Sequence, residues 1–281
     1  MAFYFKMLET LFFCDIILII NLQNGGNMDY LSFKIFDKLY CIGNVGASSY
    51  ILDAGDGLVL FDTGYLEGSD RLIASIKGLG LDLLAIKHIV HTHGHIDHFG
   101  ATKRMVSLTK AKTYLGAPDR AAANGEKELS FARELGMEFT EYFEPDVLLY
   151  DGDILTFGNI NVRCVATPGH TAGAFSYFFE LDGKKIAIHG GAGLNTLVGS
   201  YLDKMELSYG LRIDYLDSME KLKKEEVDVF LGNHLGQNNT YEKYDRLMAG
   251  DADAFVAKGE WVAFLDSCKK KLQDLMEKEK N

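Results

Sequence analysis

Apolar residues along this chain recur in short runs separated by turn residues, a pattern that predicts β-strands. Residues 31–36 and 39–42 form the first two runs. Residues 48–53 and 58–62 flank the sequence Ala-Gly-Asp-Gly, which is a strong signal for a β-hairpin. The apolar run at 85–90 predicts a buried strand. The first half of the folded chain is therefore expected to form a sheet.

The second half repeats the strand pattern, and helices are interspersed through both halves. Further strands are expected at 147–150, 154–157, 161–166, 174–181, 184–189 and 227–234. Helices are expected at 69–79, 99–109, 117–144, 196–225 and 259–278. Two strand-rich halves with interspersed helices indicate an α/β (α+β) fold in which two sheets pack face to face with helices outside.

The densest group of polar side chains directly follows the apolar run at 85–90. It reads His91-Thr-His-Gly-His-Ile-Asp-His98, so the set His93, His95, Asp97 and His98 falls within six residues. Imidazole and carboxylate are ligands of zinc and similar metals. His93 and His95 are two residues apart, so both point to the same side of an extended segment. Asp97 and His98 come as the chain turns into a helix and could face a second ion. A His-rich surface loop is the alternative, and the density of ligands favours a metal site.

Two more histidines follow predicted strands. His170 lies in Thr167-Pro-Gly-His170-Thr, after the strand at 161–166, and His234 ends the last apolar run. Beside the first motif, we expect His170 to be the third ligand of one ion, and we expect the histidine loops to converge on one edge of the sheets. Asp62, after another strand, is either a turn residue or a carboxylate that steadies a ligand histidine.

Composition and charge narrow the choice of partners. The 281 residues are 47% hydrophobic and 25% charged, with no visible repeat. A net charge of −11 excludes a nucleic-acid or anionic-membrane surface as the main function and leaves a small-molecule substrate. Cys14, Cys41, Cys164 and Cys268 are scattered, which indicates reduced structural thiols. Nothing in the sequence indicates an oligomeric state.

Residues 1–27 do not match the pattern that follows and are treated as an extension before a single domain at 28–281. Their apolar run 11–20 is too short to span a bilayer, and Asp15 interrupts it. We rank a misassigned start first, with Met28 as the true start, a signal peptide second and a membrane anchor last. A start at Met28 favours the cytoplasm, whereas a signal peptide would direct export.

The order of these motifs from 31 to 238 resembles the metallo-β-lactamase superfamily. The matching elements are Asp-Thr-Gly at 62–64, His-x-His-x-Asp-His at 93–98, Pro-Gly-His at 168–170 and the last histidine. The resemblance implies an αββα sandwich and two zinc ions. It places His93, His95 and His170 on the first zinc. It places Asp97, His98 and His234 on the second.

One departure from the commonest pattern of the superfamily narrows the function. Many of its hydrolases carry a metal-bridging aspartate after the next strand, where this chain has Gly191 or Ala192. The resemblance is therefore to the two-zinc β-lactamases whose second zinc is held by Asp, His and His. It implies a hydrolase that opens a cyclic amide, a β-lactam, with hydroxide formed as zinc lowers the pKa of water from about 15.7 to about 7. A role in antibiotic resistance would require export.

Other residues are expected to assist this chemistry. Asp97 would orient the nucleophile and carry a proton, and His189 could line the pocket and donate to substrate. His88 and His91 are expected to support the ligands or the fold. Asn195, Thr196 and Gln237 are candidate contacts to a substrate carboxylate.

Two other functions stay open on the sequence. The same dizinc site could hydrolyse a small ester, lactone or phosphodiester, because a fold does not fix a substrate. The chain could also bind metal without catalysis, although a redox-type iron site would favour a carboxylate where His95 stands.

Overall fold

A computed structural model describes residues 31–43 and 46–280. The interpretations of residues 1–27 lie outside this part of the chain. Within it, no helix combines the length and the apolar character needed to cross a membrane. Cys41, Cys164 and Cys268 are buried and unpaired, as expected for structural thiols.

Seven strands form the first sheet, in the order of the sequence. They are β1 (Leu31–Phe36), β2 (Leu39–Gly43), β3 (Ser48–Asp53), β4 (Leu58–Phe61), β5 (Ile86–Val90), β6 (Lys112–Gly116) and β7 (Val147–Leu149). β1 to β4 are antiparallel, with Leu52 opposite Val59 in the expected hairpin. β4 to β7 are parallel. The carboxyl ends of β4, β5 and β6 therefore reach the same edge of the sheet.

Five strands form the second sheet, in the order β12-β11-β10-β9-β8. They are β8 (Ile154–Phe157), β9 (Ile160–Ala166), β10 (Phe175–Leu181), β11 (Lys184–Ile188) and β12 (Val229–Leu231). β8 to β11 are antiparallel, and β12 joins β11 in parallel. β9, β11 and β12 consequently run in one direction, and each ends at a loop that the sequence analysis singled out.

The helices lie outside the sheets. They are α1 (Ser69–Gly78), α2 (Ile96–Phe99), α3 (Thr102–Thr109), α4 (Arg120–Ala123), α5 (Gly199–Lys204), α6 (Gly210–Leu222), α7 (Thr240–Met248) and α8 (Glu260–Lys278). α1 and α3 cover the outer face of the first sheet, and α6 and α8 cover that of the second. Between the sheets, alternating apolar residues form the main core, in which Phe61 packs 5.6 Å from Tyr177 between ring centroids. The predicted αββα layering is confirmed.

The expectation of a helix over 117–144 is wrong. The segment has a short 3₁₀ turn at Ala117–Asp119 and α4, and the residues after α4 contain no helix or strand before β7. Gly125 and Gly136 adopt positive φ, which ends helical geometry. The rings of Phe139 and Phe143 pack on Phe99 instead, so burial against the metal-loop helix decides the conformation. α7 was not anticipated.

The packing of α8 gives a prediction about stability. Leu265 is fully buried against the second sheet and α6, so Leu265→Ala should lower the free energy of unfolding by about 2–5 kcal/mol. Val262 lies on the same helix but is 37% exposed, so Val262→Ala should change it by less than about 0.5 kcal/mol. Urea unfolding of both variants measures the difference, and equal effects would contradict this packing of α8.

Candidate metal centre

Three buried histidines converge at the edge where the strands end. His93 Nε2 lies 3.1 Å from His95 Nδ1 and 3.2 Å from His170 Nε2. These histidines form a group whose ligand atoms could hold a metal ion. His93 and His95 come from the loop after β5, and His170 comes from the loop after β9. Two sheets therefore supply one site.

The spacing of these nitrogens fits a metal ion. A zinc ion with tetrahedral nitrogen ligands at ~2.0–2.1 Å separates those nitrogens by about 3.3 Å. The opposite ring nitrogens face hydrogen-bond acceptors, since His93 Nδ1 lies 3.0 Å from Gly190 O and His170 Nδ1 lies 2.7 Å from Gly193 O. Each of these two Nδ1 atoms can donate to its carbonyl, which leaves Nε2 unprotonated and directed at the site.

A second group adjoins the first. His93, Asp97 and His98 also offer ligand atoms that could hold a metal ion. Asp97 Oδ2 lies 3.3 Å from His98 Nε2 and 3.7 Å from His234 Nε2, so the predicted set Asp97, His98 and His234 is brought together. His98 Nε2 is buried and has no hydrogen-bond partner among the described residues. A buried nitrogen that has no hydrogen-bond partner, and that faces a carboxylate and a second imidazole, is suited to bind a metal ion.

Asp62 combines the two roles that the sequence left open. It turns the chain after β4 with a φ of 56°, and its carboxylate accepts a hydrogen bond from His98 Nδ1 at 2.7 Å. The same carboxylate accepts from the Thr92 amide at 2.8 Å and the Thr92 hydroxyl at 2.7 Å. Asp62 therefore fixes both the His98 ring and the start of the metal loop.

The loop after β11 supports His170 from two sides and is itself anchored at its far end. Besides the Gly193 carbonyl, the Thr196 hydroxyl donates to the His170 carbonyl at 2.6 Å. Buried Arg212 donates through Nε to Leu197 O at 2.8 Å and pairs with Glu279, whose Oε1 accepts from the Gly199 amide at 2.8 Å. Glu279, directly after α8, thus helps to hold the loop that supports a metal-site histidine.

Asp119 is a buried residue of the site that the sequence analysis missed. It follows β6, and its carboxylate contacts both loops that carry the three histidines. Its position after a strand that is parallel to β5, at the same edge as Asp62 and the metal loop, is the feature that indicates a role in the site. The sequence predicts a polar helix over 117–144, and that prediction gives Asp119 no such role.

His189 is placed differently from the expectation. Its ring is fully buried and packs against Trp261 and Phe264 of α8, with centroids 5.8 and 5.1 Å away. Neither ring nitrogen has a hydrogen-bond partner among the described residues. The prediction that His189 lines the pocket is corrected, because its side chain points into the aromatic layer under the helix.

The three candidate substrate contacts fall in two loops beside the site. The hydroxyl of Thr196 is committed to the His170 carbonyl, so its role here is to support a histidine. Asn195 is half-buried beside it. Gln237 follows His234, and its Oε1 is buried without a partner among the described residues.

Gly191, one of the two positions where the bridging carboxylate would stand, lies directly against His170. A Cβ on Gly191 would collide with the imidazole ring of His170, and one on Gly193 would lie 3.0 Å from His170 Cε1. The backbone of this loop therefore occupies the space beside the ring, and a side chain there would displace the ring.

The comparison with protein families identifies the class. The model of the metallo-beta-lactamase superfamily matches residues 42–234, more than half of the chain. The chain belongs to the metallo-β-lactamase superfamily, whose members are metal-dependent hydrolases. The predicted resemblance is confirmed.

Relatives among curated proteins match parts of the chain. An uncharacterized protein of Aquifex aeolicus is 32% identical over 145 residues, which are 51% of this chain and 64% of that protein. The probable metallo-hydrolase YqgX of Bacillus subtilis is 29% identical over 167 residues, 56% of this chain and 74% of its own length. Glyoxylase B2 of Dictyostelium discoideum is 33% identical over 116 residues, 41% of this chain and 38% of its own length. The chain thus spans less than two thirds of the first relative and about two fifths of the third.

Solved structures match nearly the whole chain. BJP-1, a subclass B3 metallo-beta-lactamase of Bradyrhizobium japonicum, has a TM-score of 0.82 at 23% identity and covers 92% of this chain and 98% of its own. The FEZ-1 metallo-beta-lactamase of Legionella gormanii has a TM-score of 0.82 at 25% identity and covers 91% and 99%. These likenesses confirm the fold.

The two groups should differ in how pH affects metal binding. Burial lowers the pKa of His93 and His95, and lowers that of His170 to about 4, so the first group is unprotonated at pH 7. Burial also opposes a charge on His98, but Asp97 and Asp62 outweigh it and raise its pKa to about 10. A metal at the second group must therefore displace a proton, and its affinity should fall about tenfold per pH unit from pH 8 to 6.

Zinc competition with a chelator at pH 6, 7 and 8 measures this difference. Asp97→Ala removes a second-group ligand and isolates the first group, whose affinity should change little over the same range. An equal pH dependence in wild type and Asp97→Ala would contradict the assignment of the proton to His98.

The burial of His189 gives a prediction about stability. His189→Phe removes two unpaired buried nitrogens, so the free energy of unfolding should rise by about 1–3 kcal/mol with metal content unchanged. Burial lowers the pKa of His189 to about 3 in the folded state, whereas it is about 6.5 when unfolded. Wild type therefore loses stability as pH falls from about 6.5 to 3, and the variant lacks this contribution.

Urea unfolding of the metal-free proteins at pH 5 and 8 checks the sign, because the gain from His189→Phe should be larger at pH 5. Loss of turnover in a fully metal-loaded His189→Phe protein would instead restore a role for His189 at the substrate.

Proposed function

We propose that this chain is a zinc-dependent hydrolase of the β-lactamase type, which opens the cyclic amide of a β-lactam at a two-metal centre. The observation that carries the proposal is the second group, in which Asp97, His98 and His234 approach one another. Gly191 or Ala192, and no carboxylate, stands at the place of the bridging aspartate. The likeness to BJP-1 and FEZ-1, both metallo-beta-lactamases, supports it.

The ligand sets follow from the two groups. His93, His95 and His170 would hold one zinc ion, and Asp97, His98 and His234 would hold another. When bound, the two ions would supply a nucleophile from water at neutral pH and polarise the carbonyl of a small-molecule substrate.

The residues of the chain itself orient the reaction. Asp97, a member of the second group, is lightly exposed, so its carboxylate can orient a water molecule and carry its proton towards the departing nitrogen. Neighbouring imidazoles hold the pKa of Asp97 below its usual range against the effect of burial, which keeps it an acceptor at neutral pH. Asn195 and Gln237 remain candidate contacts to a substrate carboxylate.

A second candidate is hydrolysis of a small ester or lactone. A human hydroxyacylglutathione hydrolase-like protein and Glyoxylase B2 match 40% and 41% of this chain, and the first name indicates hydrolysis of an acyl thioester. Carbonyl attack is shared by amides and esters, so the same side chains would serve both reactions. A phosphodiester is a third substrate class for the same centre.

Turnover of a chromogenic cephalosporin and of a carbapenem by zinc-loaded protein tests the first candidate. We expect hydrolysis that a chelator abolishes and that His95→Ala lowers by more than about 100-fold, since loss of a ligand exceeds the 10–100-fold effect of its supporting partners. His88→Gln is the matched control, because His88 Nδ1 contacts the Tyr114 hydroxyl at 2.9 Å and its ring packs on Phe157.

The panel also contains an aryl ester, a thioester, a lactone and an aryl phosphodiester. If the protein hydrolyses an ester or a lactone but does not hydrolyse the two β-lactams, the second candidate is favoured. Two bound zinc ions with no turnover of any substrate would favour the non-catalytic metal-binding role, and absence of bound zinc would overturn the metal centre.

A further inference from the structure

We propose that Asp119 is a positioning residue that preassembles the three-histidine group by joining the two loops that carry it. The inference rests on the metal centre of the proposed function. It concerns a residue outside both ligand sets, in the 3₁₀ turn that follows β6.

The carboxylate of Asp119 accepts three hydrogen bonds from the two loops. Its Oδ2 accepts from the amide of Gly94, between His93 and His95, at 2.7 Å, and from the Thr171 hydroxyl at 2.6 Å. Its Oδ1 accepts from the amide of Gly173 at 2.7 Å. One oxygen therefore bridges the His93–His95 turn and the residue after His170.

Two glycines make room for this carboxylate. A Cβ on Gly94 would lie 2.9 Å from Asp119 Cβ, and a Cβ on Gly173 would lie 2.5 Å from Asp119 N and 2.6 Å from its Cγ. These distances are too short for a side chain, so any other residue at either position would push Asp119 away from the two loops. Glycine at both positions therefore leaves space for the side chain of Asp119 between the two loops.

The carboxylate of Asp119 interacts with uncharged hydrogen-bond donors of the two loops. The carboxylate is buried, and among the ion pairs of residues 31–43 and 46–280 none includes it. Its partners are two amides and a hydroxyl, and hydrogen bonds to an ionised acceptor are about twice as strong as neutral ones. It also places negative charge beside the turn that carries two metal-binding histidines, which favours a cation there.

A main-chain hydrogen bond joins the bases of the two loops, from the Phe175 amide to Thr92 O at 2.8 Å. Asp119 joins them further out, beside the ligands themselves. Without it, the first group would have to be assembled by the metal, and the affinity of that group should fall while the second group, held by Asp62, keeps its own.

Zinc affinity measured by chelator competition tests this inference in two backgrounds. Asp97→Ala leaves the first group, and His170→Ala leaves the second. In the first background, Asp119→Asn should weaken binding by about tenfold and Asp119→Ala by up to about 100-fold, the range for loss of a ligand's supporting partner. In the second background, neither substitution should change the affinity.

Two further variants separate positioning from charge and from general destabilisation. Gly173→Ala alters no charge but forces a methyl group onto Asp119, and it should reproduce the selective loss at the first group. Asp146→Asn is the matched control, since Asp146 accepts from the amide and hydroxyl of Thr113 at 2.8 Å and makes no hydrogen bond to a histidine loop within residues 31–43 and 46–280. It should leave both affinities unchanged.

Thermal melts accompany each measurement, and if Asp119→Ala fails to fold, Asp119→Asn and Gly173→Ala decide the outcome. Equal weakening of both groups, or no weakening of the first, would overturn the positioning role while wild type still binds two zinc ions. Failure of wild type to bind zinc would overturn the proposed function itself.

Discussion

The structure depends on holding a nitrogen of His95 and one of His170 at 3.1 and 3.2 Å from His93 Nε2, in a buried site. Lone pairs at this distance repel, so the arrangement needs either a cation between them or restraints on the far side of each ring. For His93 and His170 those restraints are backbone carbonyls in the loop after β11, at Gly190 and Gly193. His93, from the first half of the molecule, is thus oriented by a main-chain atom of the second half, which ties the site to the packing of the two sheets.

That packing explains why the site forms at one edge. β4, β5 and β6 of the first sheet end there, and so do β9, β11 and β12 of the second. Every end delivers a polar group to the same place, and each group restrains another. Asp62 holds His98, Asp119 spans two loops, and the loop beyond β11 is held in turn by Arg212 and Glu279. The metal-site histidines are held in place by hydrogen bonds from residues that follow strands of both sheets, so their own loops need not be rigid.

Local pattern was enough to predict most strands, the covering helices and the residues that converge on the metal centre. Alternation and turn signals report on backbone geometry directly, and a cluster such as His93-x-His95 has few structural uses. Contacts between distant segments were not predictable. His189 follows a strand as His170 does, yet its side chain packs against Trp261 of α8 and does not join the metal-site histidines. The direction of the His189 side chain is decided by tertiary packing. Asp119 was missed because its partners are two backbone amides and a hydroxyl, which leave no pattern of spacing in the sequence.

The glycine that stands against the His170 ring also bears on how such a protein could change. Adding a carboxylate at Gly191 would drive a side chain into the imidazole before it could reach any ion. A carboxylate at Gly191 is therefore compatible with the three-histidine group only if His170 and its supporting loop shift together. Substitution of this glycine alone would disturb an existing metal-site histidine and would not add a ligand beside it.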